Sequence, residues 1–307
     1  MTGFPDLLCL GEPMLEFNQQ PDGRYLAGHG GDTSNAAVAA ARQGASVGYL
    51  TRIGRDTFGD SFMTLWAEEG IDTRGVDVTD DGHTGLYFVS HGPDGHRFSY
   101  HRAGSAASRM TPAFLSGDMI RASKVLHISG ISLAISESAA DTAFAAIAVA
   151  REAGVKISFD PNLRLKLWPL DRARAVIHAA MAATDIALPG LDDAVLLTGK
   201  SDPDAIADFY LALGADTVAL TLGDAGCLVA TPADRRRIPG HTTEARDATG
   251  AGDTFDGSFL AEYLRSGDPF AAGRYANMAA ALSTRGFGAV GPMPRRTEVE
   301  AALNSNP

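Results

Sequence analysis

From Lys124 onward, short unbroken apolar runs alternate with longer helical patterns, and few folds accommodate such a sequence. The runs at Val125–Ser129, Val155–Asp160, Ile186–Pro189, Thr217–Leu222 and Cys227–Ala230 hold few charged residues, so each predicts a strand buried on both faces. Between and after them lie helical stretches at Ser136–Ala153, Asp171–Ala182, Asp192–Leu197, Pro203–Leu213, Gly250–Arg265 and Pro269–Arg285. Strand-helix alternation of this kind predicts an α/β body, a mostly parallel sheet covered by helices on both sides.

The first hundred or so residues have another rhythm. Leu7–Leu10 predicts a buried first strand, followed by short strands over Met14–Asn18 and Arg24–Gly28. A helix then runs to Gln43, with Asp32, Thr33 or Ser34 as its cap. Ser46–Thr51 predicts a strand, and Gly59–Glu69 a helix closed by Gly70. Gly85–His91 and His96–Arg102 alternate apolar and polar residues around Gly92-Pro93-Asp94-Gly95, a hairpin pattern. Neither an internal repeat nor a Pro- or Ser-rich linker divides the 307 residues. The expectation is one α/β domain over 1–307, with a small antiparallel β lid contributed by about 12–34 and 84–104.

A net charge of −11 disfavours non-specific binding to nucleic acid or to an anionic membrane surface. No apolar run is long enough to span a bilayer. Cys9 and Cys227 lie far apart in apolar runs without a CxxC partner, and the N-terminus lacks a basic leader segment. A reducing cytoplasm is the expected location.

Asp247-Ala248-Thr249-Gly250-Ala251-Gly252-Asp253-Thr254-Phe255 opens a long helical pattern. Gly250, Ala251 and Gly252 leave the backbone unobstructed, so successive N–H groups can face one anion at the positive end of the helix dipole. That suits a phosphoryl group in transfer. Asp253 in the first turn could accept the proton of an attacking hydroxyl, help typically worth ~10²–10⁴-fold. Spacing alone is equally compatible with Asp247 or Thr249 capping a helix whose glycines allow close packing.

The segment Asp247–Phe255 resembles the C-terminal signature of the ribokinase-like (PfkB) carbohydrate kinases, and Gly30-Gly31-Asp32-Thr33-Ser34-Asn35-Ala36-Ala37 resembles their N-terminal sugar-binding motif. The resemblance covers nearly the whole chain. It implies a three-layer body with a β lid over the sugar, ATP as phosphoryl donor and Mg²⁺ as cofactor. Gly30, Gly31 and Asn35 would then touch the sugar. The stretches Gly11-Glu12-Pro13-Met14, Gly85-Leu86-Tyr87, Tyr100–Ser108, Ser129–Ala134 and Asp160–Trp168 resemble the branch of the family that phosphorylates 2-keto-3-deoxygluconate. By that resemblance Tyr87, Tyr100, Arg102 and Arg164 surround a sugar acid, and Asp253 deprotonates its 6-hydroxyl. Guanidinium forks suit a carboxylate.

Two positions depart from the family pattern. The segment that usually organises Mg²⁺ reads Gly190-Leu191-Asp192-Asp193, so Gly190 supplies no ligand and Asp193 alone keeps the carboxylate. The nucleotide loop reads Thr221-Leu222-Gly223-Asp224-Ala225-Gly226, with Thr221, Gly223, Gly226, Gly250 and Gly252 as the expected nucleotide contacts. Asp247 resembles a position near a monovalent cation, or else it is a structural cap. A kinase for a neutral sugar and a non-catalytic sugar-binding regulator stand as alternatives.

Other leads fail. Gly199-Lys200-Ser201 lacks the earlier glycine of a P-loop, since Ala194 stands there. His83, His91, His96 and His101 match no zinc spacing. Leu86, Phe88 and Phe98 are expected to be exposed on lid strands, an edge that a second copy in a homo-oligomer would cover.

Overall fold

The computed structural model describes residues 3–20, 22–92 and 95–305, with only the backbone of His91, Gly95 and His96. Pro93 and Asp94 of the expected hairpin turn lie outside the described residues. In chain order the elements are β1 (Leu7–Leu10), β2 (Met14–Gln19), β3 (Tyr25–Gly30), α1 (Asp32–Arg42), β4 (Val47–Gly54), α2 (Thr57–Glu68), β5 (Asp72–Thr79), β6 (Gly85–Gly92) and β7 (Gly95–His101). They continue with α3 (Gly117–Ala122), β8 (Val125–Ser129), α4 (Gly130–Ala134), α5 (Glu137–Ala153), β9 (Lys156–Asp160), α6 (Leu170–Met181), β10 (Ile186–Ala187), α7 (Leu191–Thr198) and α8 (Pro203–Leu213). The chain closes with β11 (Thr217–Thr221), β12 (Gly226–Ala230), β13 (Arg235–Pro239), α9 (Ala251–Ser266), α10 (Pro269–Ser283) and α11 (Arg296–Ser305).

Nine strands form one sheet in the order β13-β12-β11-β10-β9-β8-β1-β4-β5. The seven from β11 to β5 run parallel, and β12 and β13 extend the sheet antiparallel. Along β1 the side chains alternate between two cores. Leu8 and Leu10 join Ile128, Phe159 and Leu220 on one face, under α5, α6 and α8. Leu7 and Cys9 join Tyr49, Ala219 and Val229 on the other, under α1, α2, α9 and α10. This two-sided burial is why the run is unbroken, each such side chain contributing about 1.5–3 kcal/mol.

A second sheet, in the order β3-β2-β6-β7, consists of two antiparallel pairs joined through a parallel β2–β6 contact. Several expected boundaries move. The α1 helix begins at Asp32 with Gly31 at its cap position, φ 92°, so none of Asp32, Thr33 or Ser34 holds that position, although Asp32 Oδ1 accepts from the Thr33 N–H at 2.8 Å. The α2 helix starts at Thr57, because Asp56 accepts from the N–H groups of Phe58 and Gly59. Leu86 and Phe88 are half-buried: Leu86 packs on the core and Phe88 stacks on Phe17. Among the described residues, the large exposed apolar groups of this sheet are Tyr25, Leu26, Phe98 and Tyr100. Among the described residues, no helix is long and apolar enough to cross a membrane.

Candidate active site at the carboxyl ends of the strands

In parallel α/β sheets, ligands collect where strands end and loops diverge. Here the ends of β1, β9, β10 and β11, the starts of α1 and α9, and one face of the second sheet enclose a cavity of about 660 Å³.

Gly250 precedes α9 in the left-handed conformation, φ 75°. A Cβ there would lie 2.9 Å from Ala289, whereas one on Gly252 would meet nothing within 4 Å. Asp247 shapes this turn. Its Oδ1 accepts from the Thr249 N–H (2.9 Å) and hydroxyl (2.7 Å), and its Oδ2 accepts from the Gly288 N–H (2.9 Å). The N–H of Ala251 donates to the Ala248 carbonyl at 3.1 Å. Among the described residues the N–H groups of Gly250 and Gly252 have no backbone acceptor, so the turn offers two free donors rather than three.

Asp253, in the first turn of α9, lines the cavity and accepts from Asn35 Nδ2 at 2.8 Å. Its depth, then the charge of Asp32, push its carboxyl up to about 7, against the Asn35 hydrogen bond and the Arg164 charge. Asn35 Oδ1 is buried without a partner. The contact depends on close packing of α1 on α9: a Cβ on Gly257 would lie 2.1 Å from the Ala36 carbonyl oxygen.

Four further aspartates, besides Asp253, also line the cavity. Asp32 accepts from Asn162 Nδ2 at 3.0 Å, and Asn162 is the only non-glycine residue with positive φ among the described residues. Asp160 and Asp256 share a hydrogen bond, and burial, then the neighbouring carboxylates, hold both well above the usual carboxylate range. Burial also raises Asp193, whose Oδ2 accepts from the Leu163 N–H at 2.8 Å.

The opposite wall is cationic and aromatic. Tyr87 donates to Glu16 Oε2 at 2.5 Å, and its burial and that carboxylate keep the phenol protonated. Arg102 Nε donates to Glu12 Oε2 at 2.9 Å, its Nη2 contacts the same oxygen, and Ser105 Oγ donates to Glu12 Oε1 at 2.6 Å. Arg164 donates to the Leu163 carbonyl at 2.9 Å and lies 3.9 Å from Asp193.

The family model for pfkB family carbohydrate kinases matches residues 6–296. The chain belongs to that family. It is 33% identical over 305 residues to a 2-dehydro-3-deoxygluconokinase of Thermoproteus tenax, covering 95% of this chain and 93% of that one. It is 30% identical over 325 residues to a probable fructokinase-5 of Arabidopsis thaliana, covering 99% of both. Among solved structures, a putative ribokinase II of E. coli in complex with ATP and Mg²⁺ superposes with a TM-score of 0.91 at 25% identity, covering 98% of this chain and 100% of that one. The fold is ribokinase-like, and the protein is a pfkB-family carbohydrate kinase.

In this pfkB kinase the cavity gathers Gly31, Asn35, Tyr87, Tyr100, Arg102, Arg164, Asp193, Thr221, Gly250, Gly252 and Asp253 from seven separate stretches of chain. Gly30, Gly223, Gly226, Asp247 and Ala251 lie outside its lining. Gly30 instead makes room for the Tyr87 hydroxyl, which a Cβ would approach to 2.7 Å. Gly226 has φ 99°, and a Cβ there would lie 2.1 Å from the Ile238 carbonyl oxygen, so packing requires it. Arg102 lines the cavity as expected, and two of its nitrogens face Glu12. Sequence reasoning also missed Glu12, Asp32, Asp160, Asn162, Lys166 and Asp256 as cavity residues. Asp256 was detectable, three residues after Asp253 on the same helical face; Glu12 and Asp32 required the tertiary contact.

All the acidic donors in the cavity are oxygen, the set that suits a magnesium ion retaining several waters. Gly190 contributes no side chain, and its backbone pairs with Thr221 in an isolated bridge. Among the described residues no three His, Cys, Asp or Glu side chains converge as a closed metal cage.

Proposed function

We propose that this carbohydrate kinase transfers the terminal phosphoryl group of ATP to the 6-hydroxyl of 2-keto-3-deoxygluconate, or of a closely similar sugar acid. The observation that carries the reading is Asp253, ionisable near neutrality, beside two free backbone donors and facing a wall with three cations. The 33% identical 2-dehydro-3-deoxygluconokinase supports the acceptor.

In the proposed reaction the acceptor hydroxyl oxygen forms a bond to the terminal phosphorus as the bond to the ADP oxygen breaks. Asp253 takes the hydroxyl proton, and ADP leaves with the bridging electron pair. The Gly250 and Gly252 N–H groups face the charge on the transferring group. Asn35 keeps the Asp253 carboxylate oriented, and Tyr87 and Tyr100 bound the sugar. Asp193 would hold Mg²⁺ through water, and when bound the ion would neutralise phosphate charge. Thr221, with the Gly223–Gly226 loop, would bound the nucleotide. The sheet β3-β2-β6-β7 acts as a lid excluding water, on a single domain whose location is cytoplasmic.

One observation favours a neutral sugar instead: Glu12 neutralises Arg102, and a fructokinase is among the relatives. A coupled assay of ADP release over 2-keto-3-deoxygluconate, fructose and ribose separates the two. The acid reading predicts the highest kcat/KM on the keto acid; a higher value on fructose or ribose would overturn it.

A further inference from the structure

Three cations line the cavity, and they are not equivalent. Arg102 is occupied by Glu12, and Arg164 by the Leu163 carbonyl with Asp193 nearby. Lys166, on the loop after β9, has neither a carboxylate within ion-pair distance nor a hydrogen-bond acceptor among the described residues. Its ammonium instead lies 5.8 Å from the ring centroids of both Phe98 and Tyr100, neighbours along β7 whose rings stack at 12°. Lys166 is exposed, so water and not the ring faces satisfies its three N–H donors. Attraction of a cation to aromatic faces is also weak where water has access.

From this arrangement we propose that Lys166 reads the carboxylate of the acceptor, with Phe98 and Tyr100 parking its ammonium at the seam between sheet and body until the acid arrives. The inference rests on the sugar-acid reading above and deepens it: acid selectivity draws on Lys166 as well as on the two arginines. The acid's negative charge meets an uncompensated cation there, whereas at Arg102 it would meet one already neutralised.

The test compares the keto acid with its neutral C1 amide in the wild type, K166M and K166R, reading kcat and KM separately. The proposal predicts that K166M lowers the acid-to-amide ratio of kcat/KM at least about tenfold, mainly through KM for the acid, as expected for loss of a hydrogen bond to a charged group. K166R should retain most of the ratio. An equal loss on both substrates would make Lys166 a lid clasp only and overturn the proposal, as would an unchanged ratio in K166M. A wild type that phosphorylates fructose but not the acid would overturn the sugar-acid reading, and this inference with it. Acid turnover with selectivity independent of Lys166 would overturn this inference alone.

Discussion

At the scale of single residues, the site is organised by who neutralises whom. Asp253 must be ionised to accept a proton, and its carboxyl sits at about 7, so turnover should rise with pH through that value and level off above it. The Asn35 amide favours the charged form. Asn35→Ala should therefore move the acid limb of the kcat/KM profile to higher pH, by about one unit. An unmoved limb would show that the 2.8 Å contact does not act on the base. The residues legible in the sequence were those in local motifs, such as Asp253 in its glycine-lined turn. The pairing of Arg102 with Glu12 was not legible, because it joins residues 90 positions apart that the β2–β6 and β6–β7 pairings bring together.

At the scale of elements, α1 and α9 matter most, since their approach sets the Asn35–Asp253 contact. Gly257→Ala should destabilise the protein by about 1–3 kcal/mol in urea unfolding, the overpacking outcome, despite alanine's better helix propensity. The reason is the 2.1 Å approach of the new Cβ to the Ala36 carbonyl oxygen. Gly252→Ala has open space around its Cβ and should unfold at an unchanged midpoint while losing turnover, because the methyl group intrudes where the phosphoryl group would lie. Unimpaired turnover in Gly252→Ala would remove that turn from the reaction. The buried strands were readable because they are apolar on both faces. β5 and β13 were not: Asp72–Thr79 is half-exposed and polar, and Arg235–Pro239 carries three arginines on the sheet edge. The α11 helix buries only Val299, too little to leave a periodic signal.

At the scale of the whole molecule, the second sheet both covers the cavity and exposes Tyr25 and Leu26 on its edge strand β3. An edge of this kind pairs readily, and self-association through it predicts a dimer by light scattering at micromolar concentration, lost in Leu26→Asp; a monomeric wild type would contradict this. The two sheets together bring seven separate stretches of chain to one cavity. Its chemistry depends on one carboxylate at the start of α9. The most direct measurement is single-turnover phosphoryl transfer by Asp253→Asn beside its affinity for ATP. The account predicts transfer slowed at least ~100-fold with ATP binding retained, and transfer at the wild-type rate would contradict it.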